Sequence, residues 1–287
     1  MVLLFGQALL NALMLGIIYS LIALGLTLII SIMRIVNFAH GQLYMLGAFV
    51  FYIFFTQIKL NFFISILIGI VLIAALGVLL ERLFFRRLRG DAGGCMLLSL
   101  GLALVLESAA LLIFGEDDKG VVSPFSGAFE IGGLFIGKER VAVIGISLVT
   151  ILCLFLFLHK TKTGRALRAF AQDTDAAILQ GINVDQLSWI GFAIGSGLAA
   201  LAGALLAPVY WLNPFIGGEA VVGALIVMVI GGLGSIPGTL LGGLILGAID
   251  SFGRQFLPGT WTQAIAYSLV VLVLIIRPQG LLGYEEK

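Results

Sequence analysis

Long apolar runs separated by short polar knots dominate the chain. Nine apolar segments are read at about 7–33, 41–56, 61–80, 93–114, 141–158, 186–212, 220–232, 239–252 and 261–276. Each is continuously apolar rather than alternating, which predicts membrane helices and excludes the strands of a β-barrel. Most are long enough for a hydrocarbon core that needs roughly 20 residues. The segment 220–232 is too short at about 1.5 Å per residue, so it is expected to be a half-span or part of a broken element. Two polar knots stand out because they interrupt runs that are otherwise apolar. One is Arg34-Ile35-Val36-Asn37-Phe38-Ala39-His40-Gly41-Gln42, and the other is Gly231-Gly232-Leu233-Gly234-Ser235-Ile236-Pro237-Gly238. Proline with several glycines breaks a helix. Backbone that is not helical survives at membrane depth only inside protein or beside water. Paired interruptions in the two halves of a transporter point to its substrate path. Asn37, His40, Gly41, Gln42, Gly232, Gly234, Ser235 and Pro237 are therefore candidate pathway residues. An interfacial turn is the competing expectation for each knot.

Composition agrees with the pattern. Of 287 residues, 61% are hydrophobic and 11% charged, against about 25% charged in a soluble domain, and the mean hydropathy is +1.17. These values exclude a soluble enzyme, a disordered chain and a secreted disulfide scaffold. The expected class is all-α, a polytopic transmembrane helix bundle of about 8–10 membrane segments, some of them broken. Residues 1–287 are expected to form one domain. No Lys or Arg precedes Arg34, so no signal peptide is expected. Cys95 and Cys153 lack metal or redox spacing and are read as packing residues.

The few charges set the orientation. Arg82, Arg86, Arg87 and Arg89 form one basic loop, and Lys160, Lys162, Arg165 and Arg168 form another, two spans away. Both should face the cytoplasm. The acidic stretch between them, with Glu116, Asp117, Asp118, Glu130 and Glu139, should face outside. Alternation then puts the N-terminus outside and the C-terminus inside. Glu107 and Glu219, and more marginally Asp250, lie within apolar runs. Intramembrane carboxylates are functional candidates, although the favoured reading has Glu107 hydrogen-bonded to a neighbouring helix and the others at the interface. Glycine numbers 38, and ten fall within 217–247. The pairs Gly191/Gly195, Gly238/Gly242 and Gly243/Gly247 suit close helix packing.

The longest inside loop, 159–185, reads as a surface helix over 165–181 that is rich in alanine and stopped by Gly181. Leu167, Phe170, Thr174, Ala177 and Ile178 share one face, and the helix presents small residues for docking. No nucleotide-binding glycine loop occurs, so any ATP must be bound by another chain. No catalytic triad or metal-spaced cluster is present, and no metal site is expected.

These residues give the chain a recognisable likeness. It resembles the permease subunits of bacterial ABC importers for branched-chain amino acids, of the LivH type. The likeness rests on Asn37-Phe38-Ala39-His40-Gly41-Gln42-Leu43-Tyr44-Met45-Leu46-Gly47-Ala48, on Ala171-Gln172-Asp173 with Gly181-Ile182-Asn183, and on 231–247. It implies the ABC importer permease fold, a location in the bacterial inner membrane and transport by alternating access. It also implies an ATPase-coupling segment that includes Asp173, Asp175, Ala176, Ala177 and Gly181, with Asp175 where the family more often has Glu. The implied partners are a second related permease, two cytoplasmic ATPase subunits carrying the ATP and Mg, a periplasmic binding protein and membrane lipid. No cofactor is expected on this chain, and no nucleic acid. Two classes stay open: a permease driven by partner ATPases, and a secondary transporter or channel coupling an ion through Glu107 or Glu219. The family's relatives also carry urea, amides or other amino acids.

Overall fold

The computed structural model describes residues 1–125, 127–277 and 279–283. Its elements are α1 (Val2–Met33), α2 (His40–Tyr52) continued by a π turn at Ile53–Gln57, α3 (Phe62–Leu83), α4 (Ala92–Phe114), the strands β1 (Ala128–Ile131) and β2 (Leu134–Gly137), α5 (Lys138–Lys160), α6 (Lys162–Gln172), α7 (Thr174–Leu179), α8 (Val184–Leu206), α9 (Ile216–Gly231), α10 (Ile236–Phe256) and α11 (Gly259–Ile276). Every apolar segment read from the sequence contains a helix, although the one read as 186–212 stops being helical at Leu206. Six helices are long and apolar enough to cross a membrane, while Ile216–Gly231 and Trp261–Ile276 are shorter. The chain is an all-α polytopic membrane protein.

α1 and α8 form the centre. In each, 78% of the most apolar stretch is buried, against 11% in α4 and 22% in α5. Lipid is as apolar as leucine, so burial alone does not draw these helices together. Close backbone approach does, and glycine permits it. A methyl group on Gly25 would meet the Gly195 carbonyl at 2.6 Å, and one on Gly16 would meet the Leu244 backbone at 2.9 Å. Gly191 faces Ile32, Gly238 faces the Gly231 carbonyl, Gly242 faces the Val227 carbonyl, and Gly243 and Gly247 lie against Gly16. The glycine pairs are thus contacts within the chain.

Two ties define the ends of the bundle. Asp185, just inside α8, is ion-paired with both Arg86 and Arg89, so the two basic loops share one side. At the other end Lys119 pairs with Leu212 through backbone bonds of 2.8 and 2.9 Å, and Asn213 Nδ2 donates to Asp118 Oδ1 at 3.0 Å. By its charge the basic side is the one expected to face the cytoplasm, and α1 runs toward it. α10 lies antiparallel to α1, with Thr27 Oγ1 beside Thr239 Oγ1 at 3.0 Å and Ser251 Oγ donating to the Ala8 carbonyl at 2.6 Å. The N-terminus therefore lies at the end of the bundle away from the basic loops and residues 279–283 at their end, with the 16-residue α9 running in the same direction as α1.

Two local features depart from the sequence expectations. The outer loop holds a β-hairpin with antiparallel register Ala128↔Gly137 to Ile131↔Leu134. It turns on Gly132 and Gly133, whose φ values of 60° and 83° suit a type I′ turn. The single helix expected over 165–181 is two helices. Asp173 breaks it: its backbone is extended and its side chain accepts the Ala176 N–H at 2.9 Å, capping α7. A short acidic side chain competes with the helical backbone in this way.

Candidate functional site

α1 ends at Arg34, which takes a left-handed conformation (φ 52°) and donates its N–H to Ile30 at 2.7 Å. The chain then turns back into the bundle. Phe38 N–H donates to Ser99 Oγ at 3.2 Å, Gln42 Nε2 donates to Glu107 Oε2 at 2.9 Å, and Phe49 stacks on Phe114. Residues 36–49 thus climb beside α4 from its inner half to its outer end. The first turns of this climb are unwound. Asn37 Oδ1 accepts the Ala39 N–H at 3.1 Å, and helix starts only at His40. Asn37, Ala39 and His40 are buried, which is how irregular backbone survives at this depth.

Around the start of α2 the packing is backbone against backbone. A methyl group on Gly41 would collide with the Gly217 carbonyl in the first turn of α9. His40 is fully buried and reaches inward, with Nε2 3.1 Å from the Ile22 carbonyl. The carbonyl only accepts, so this nitrogen carries the hydrogen. Its Nδ1 and the Gln42 Oε1 are buried and have no partner among the described residues. Asn37, His40, Gly41, Gln42 and Glu107 therefore form one locus at the break. Glu219 lies close by in sequence to Gly217, exposed in the first turn of α9.

The second knot is elsewhere. Gly232 and Gly234 adopt φ values of 109° and 77°, and Ser235 caps α10 by accepting the Gly238 N–H at 3.2 Å. Pro237 sits in the first turn of α10, where its missing N–H costs nothing. Leu281 and Leu282 donate their N–H groups to the Ile230 and Gly231 carbonyls. The knot is an inner hairpin turn strapped by the C-terminal residues, so Gly232, Gly234, Ser235 and Pro237 do not meet the α2 locus.

At the end that carries the basic loops, α6 and α7 frame an open cleft of about 650 Å³ lined by Ile32, Arg34, Arg89, Phe170, Asp173 and Ile178 among others. Ala177 is buried, whereas Ile178 and Leu179 of the same short helix are exposed, Leu179 by 87%. Gly181 has φ 79° with open space where a side chain would begin. The backbone of Asp175 and Ala176 lies in α7; the Asp175 side chain lies outside the described residues. Asp185 holds Arg86 and Arg89, and Arg89 also pairs with the buried Glu81 at 2.8 Å. Sequence reasoning missed this network and Gly217. An acid following the second basic loop was its only signal.

The description "Branched-chain amino acid transport system / permease component" matches residues 8–276. The chain belongs to this family. Two relatives match it nearly end to end. One is the high-affinity branched-chain amino acid transport system permease protein BraD of Pseudomonas aeruginosa, 34% identical over 98% of this chain and 96% of its own. The other is LivH of Salmonella typhimurium, 35% identical over the same shares. LivM of Escherichia coli is 26% identical over 92% of this permease and 68% of its own length. A solved structure, PsaBC from Streptococcus pneumoniae in complex with Fab, has a TM-score of 0.52 and 14% identity, covering 96% of this chain and 92% of its own; the likeness is one of fold. The permease is a multi-pass protein of the inner membrane and a component of a transport system.

Proposed function

We propose that this permease is the membrane subunit of a binding-protein-dependent ABC importer for branched-chain amino acids. It works with a second related permease, two cytoplasmic ATPase subunits that hold the ATP and Mg, and a periplasmic binding protein. Residues 1–287 act as one permease domain. The observation that carries this is the near-complete match to relatives named as branched-chain amino acid permeases. Two structural features support it. A helix broken at membrane depth offers polar groups around Asn37, His40, Gly41, Gln42 and Glu107, the arrangement transporters use for substrate. Glu219 borders this locus, and the turn at Gly232, Gly234, Ser235 and Pro237 acts as a hinge for α9 and α10 rather than a contact for substrate. The exposed pair Ile178 and Leu179 stands on the cytoplasmic side within 159–185, where an ATPase would dock; Asp173 and Gly181 set the shape of that segment, Ala176 and Ala177 build its helix, and Asp175 lies in it.

The test is uptake of radiolabelled leucine, isoleucine and valine by the complete system in proteoliposomes. ATP-dependent accumulation that requires the binding protein is expected. Flux from the isolated chain driven by an ion gradient, without an ATPase, would overturn the proposal and favour a secondary transporter.

A further inference from the structure

Glu107 is held differently from Glu81 and Asp250. Glu81 pairs with Arg89 at 2.8 Å, and Asp250 pairs with Arg254 at 2.8 Å while also accepting from Tyr19 at 2.9 Å. Glu107 lies in the body of α4, at the edge of the stripe Cys95, Ser99, Ala110 and Phe114 that packs inward. It receives, among the described residues, only the neutral amide of Gln42. Among the described residues no Lys, Arg or His comes within ion-pair distance of it. A carboxylate in an apolar helix without a cation is expensive and marks a place where a partner arrives.

The amide of Gln42 adds a second acceptor. A carboxylate only accepts hydrogen bonds, so Gln42 must turn Nε2 toward Glu107, and Oε1 then faces the first turn of α9. Gln42 is 3% exposed and Oε1 has no donor among the described residues. A methyl group on Gly217 would collide with this oxygen, so the backbone of α9 seals it. One locus at the start of α2 thus holds a carboxylate lacking a cation and a buried oxygen lacking a donor. A neutral donor would satisfy the oxygen and leave the charge. A group with both positive charge and several N–H bonds satisfies both.

We propose that Glu107 and Gln42 Oε1 form the subsite that takes the α-ammonium group of the transported amino acid. This rests on the pathway proposed above. The structure holds the subsite closed; withdrawal of the α9 N-terminus from Gly41 would open Oε1 to the ammonium group. An inorganic monovalent cation shares part of this chemistry and is distinguished by the experiment.

The complete transporter, this chain with its partner permease, ATPases and binding protein, is reconstituted in proteoliposomes and supplied with radiolabelled leucine. Glu107→Gln is expected to lower ATP-driven uptake by about tenfold or more, with the complex still eluting intact on size exclusion, and Glu107→Asp is expected to recover part of it. If Glu107→Gln does not assemble, Gln42→Met carries the test with the same expected drop. Uptake at the unaltered rate in the assembled variant overturns the subsite alone. Absence of leucine uptake by the unaltered transporter overturns the substrate assignment and the subsite with it. Uptake that falls when sodium is replaced by choline, with that dependence lost in Glu107→Gln, overturns it in favour of an inorganic cation.

Discussion

At the scale of single residues, glycine decides which surfaces can touch. Gly41 and Gly217 meet with no room for a side chain, and Gly47 lies equally close to Ala200. Gly41→Ala must displace α9 or α2, an overpacking cost of about 1–3 kcal/mol. A clear drop in Tm of the purified chain is expected by differential scanning fluorimetry. Gly101 on α4 is the opposite case, because a methyl group there meets nothing within 4 Å. Gly101→Ala removes backbone freedom from a helix interior and is expected to stabilise by about 0.5–1 kcal/mol, raising Tm slightly. A fall in Tm for both variants alike would contradict this division between packed and unpacked glycines. The count of glycines was plain in the sequence. Which ones are crowded was not, because crowding depends on helices distant in the chain.

At the scale of elements, the docking segment shows how a good periodic pattern can mislead. Leu167, Phe170 and Ala177 are all buried, as their shared face predicts, yet Ile178 on the same face is half exposed. The cause is the break at Asp173, which redirects α7 by capping it. Residues proposed to meet a partner are consequently Ile178 and Leu179, with Ala177 beneath them. Leu179→Asp is expected to weaken binding of the ATPase subunit by at least about tenfold, measured by co-purification and titration, while leaving Tm unchanged. Ala177→Leu is expected to lower Tm, since its methyl group is already enclosed. The hairpin was missed for a different reason. Its strands are four residues each, too short for alternation to show, although two adjacent glycines marked the turn.

For the whole molecule, the ion cluster of Glu81, Arg86, Arg89 and Asp185 joins the elbow between α3 and α4 to the end of the docking segment. The paired loops at Lys119 and Leu212 close the opposite end. Together they require that residues 117 and 162 lie on opposite sides of the membrane. With Cys95 and Cys153 replaced by alanine, Asp117→Cys is expected to react with an impermeant maleimide in right-side-out vesicles and Lys162→Cys only after lysis. The reverse pattern would invert the topology. The structure brings the two basic loops to one end, as the charge pattern predicted, and the labelling tests which side of the membrane that end faces.

Some properties of this permease follow from its sequence alone. Continuous apolar runs require helices, because hydrocarbon offers no partner for exposed backbone. Clustered arginines and lysines orient them, and the motif around Asn37–Ala48 marks the family. Tertiary structure decided the rest. Both polar knots read alike as strings of helix breakers, but α4 and α9 surround one and the C-terminal residues strap the other. Asp250 and Glu107 read alike as carboxylates in apolar runs, but among the described residues Arg254 pairs with the first and only an amide meets the second. The free energy of a buried polar group depends on the atoms beside it, and those atoms come from parts of the chain that only folding brings together.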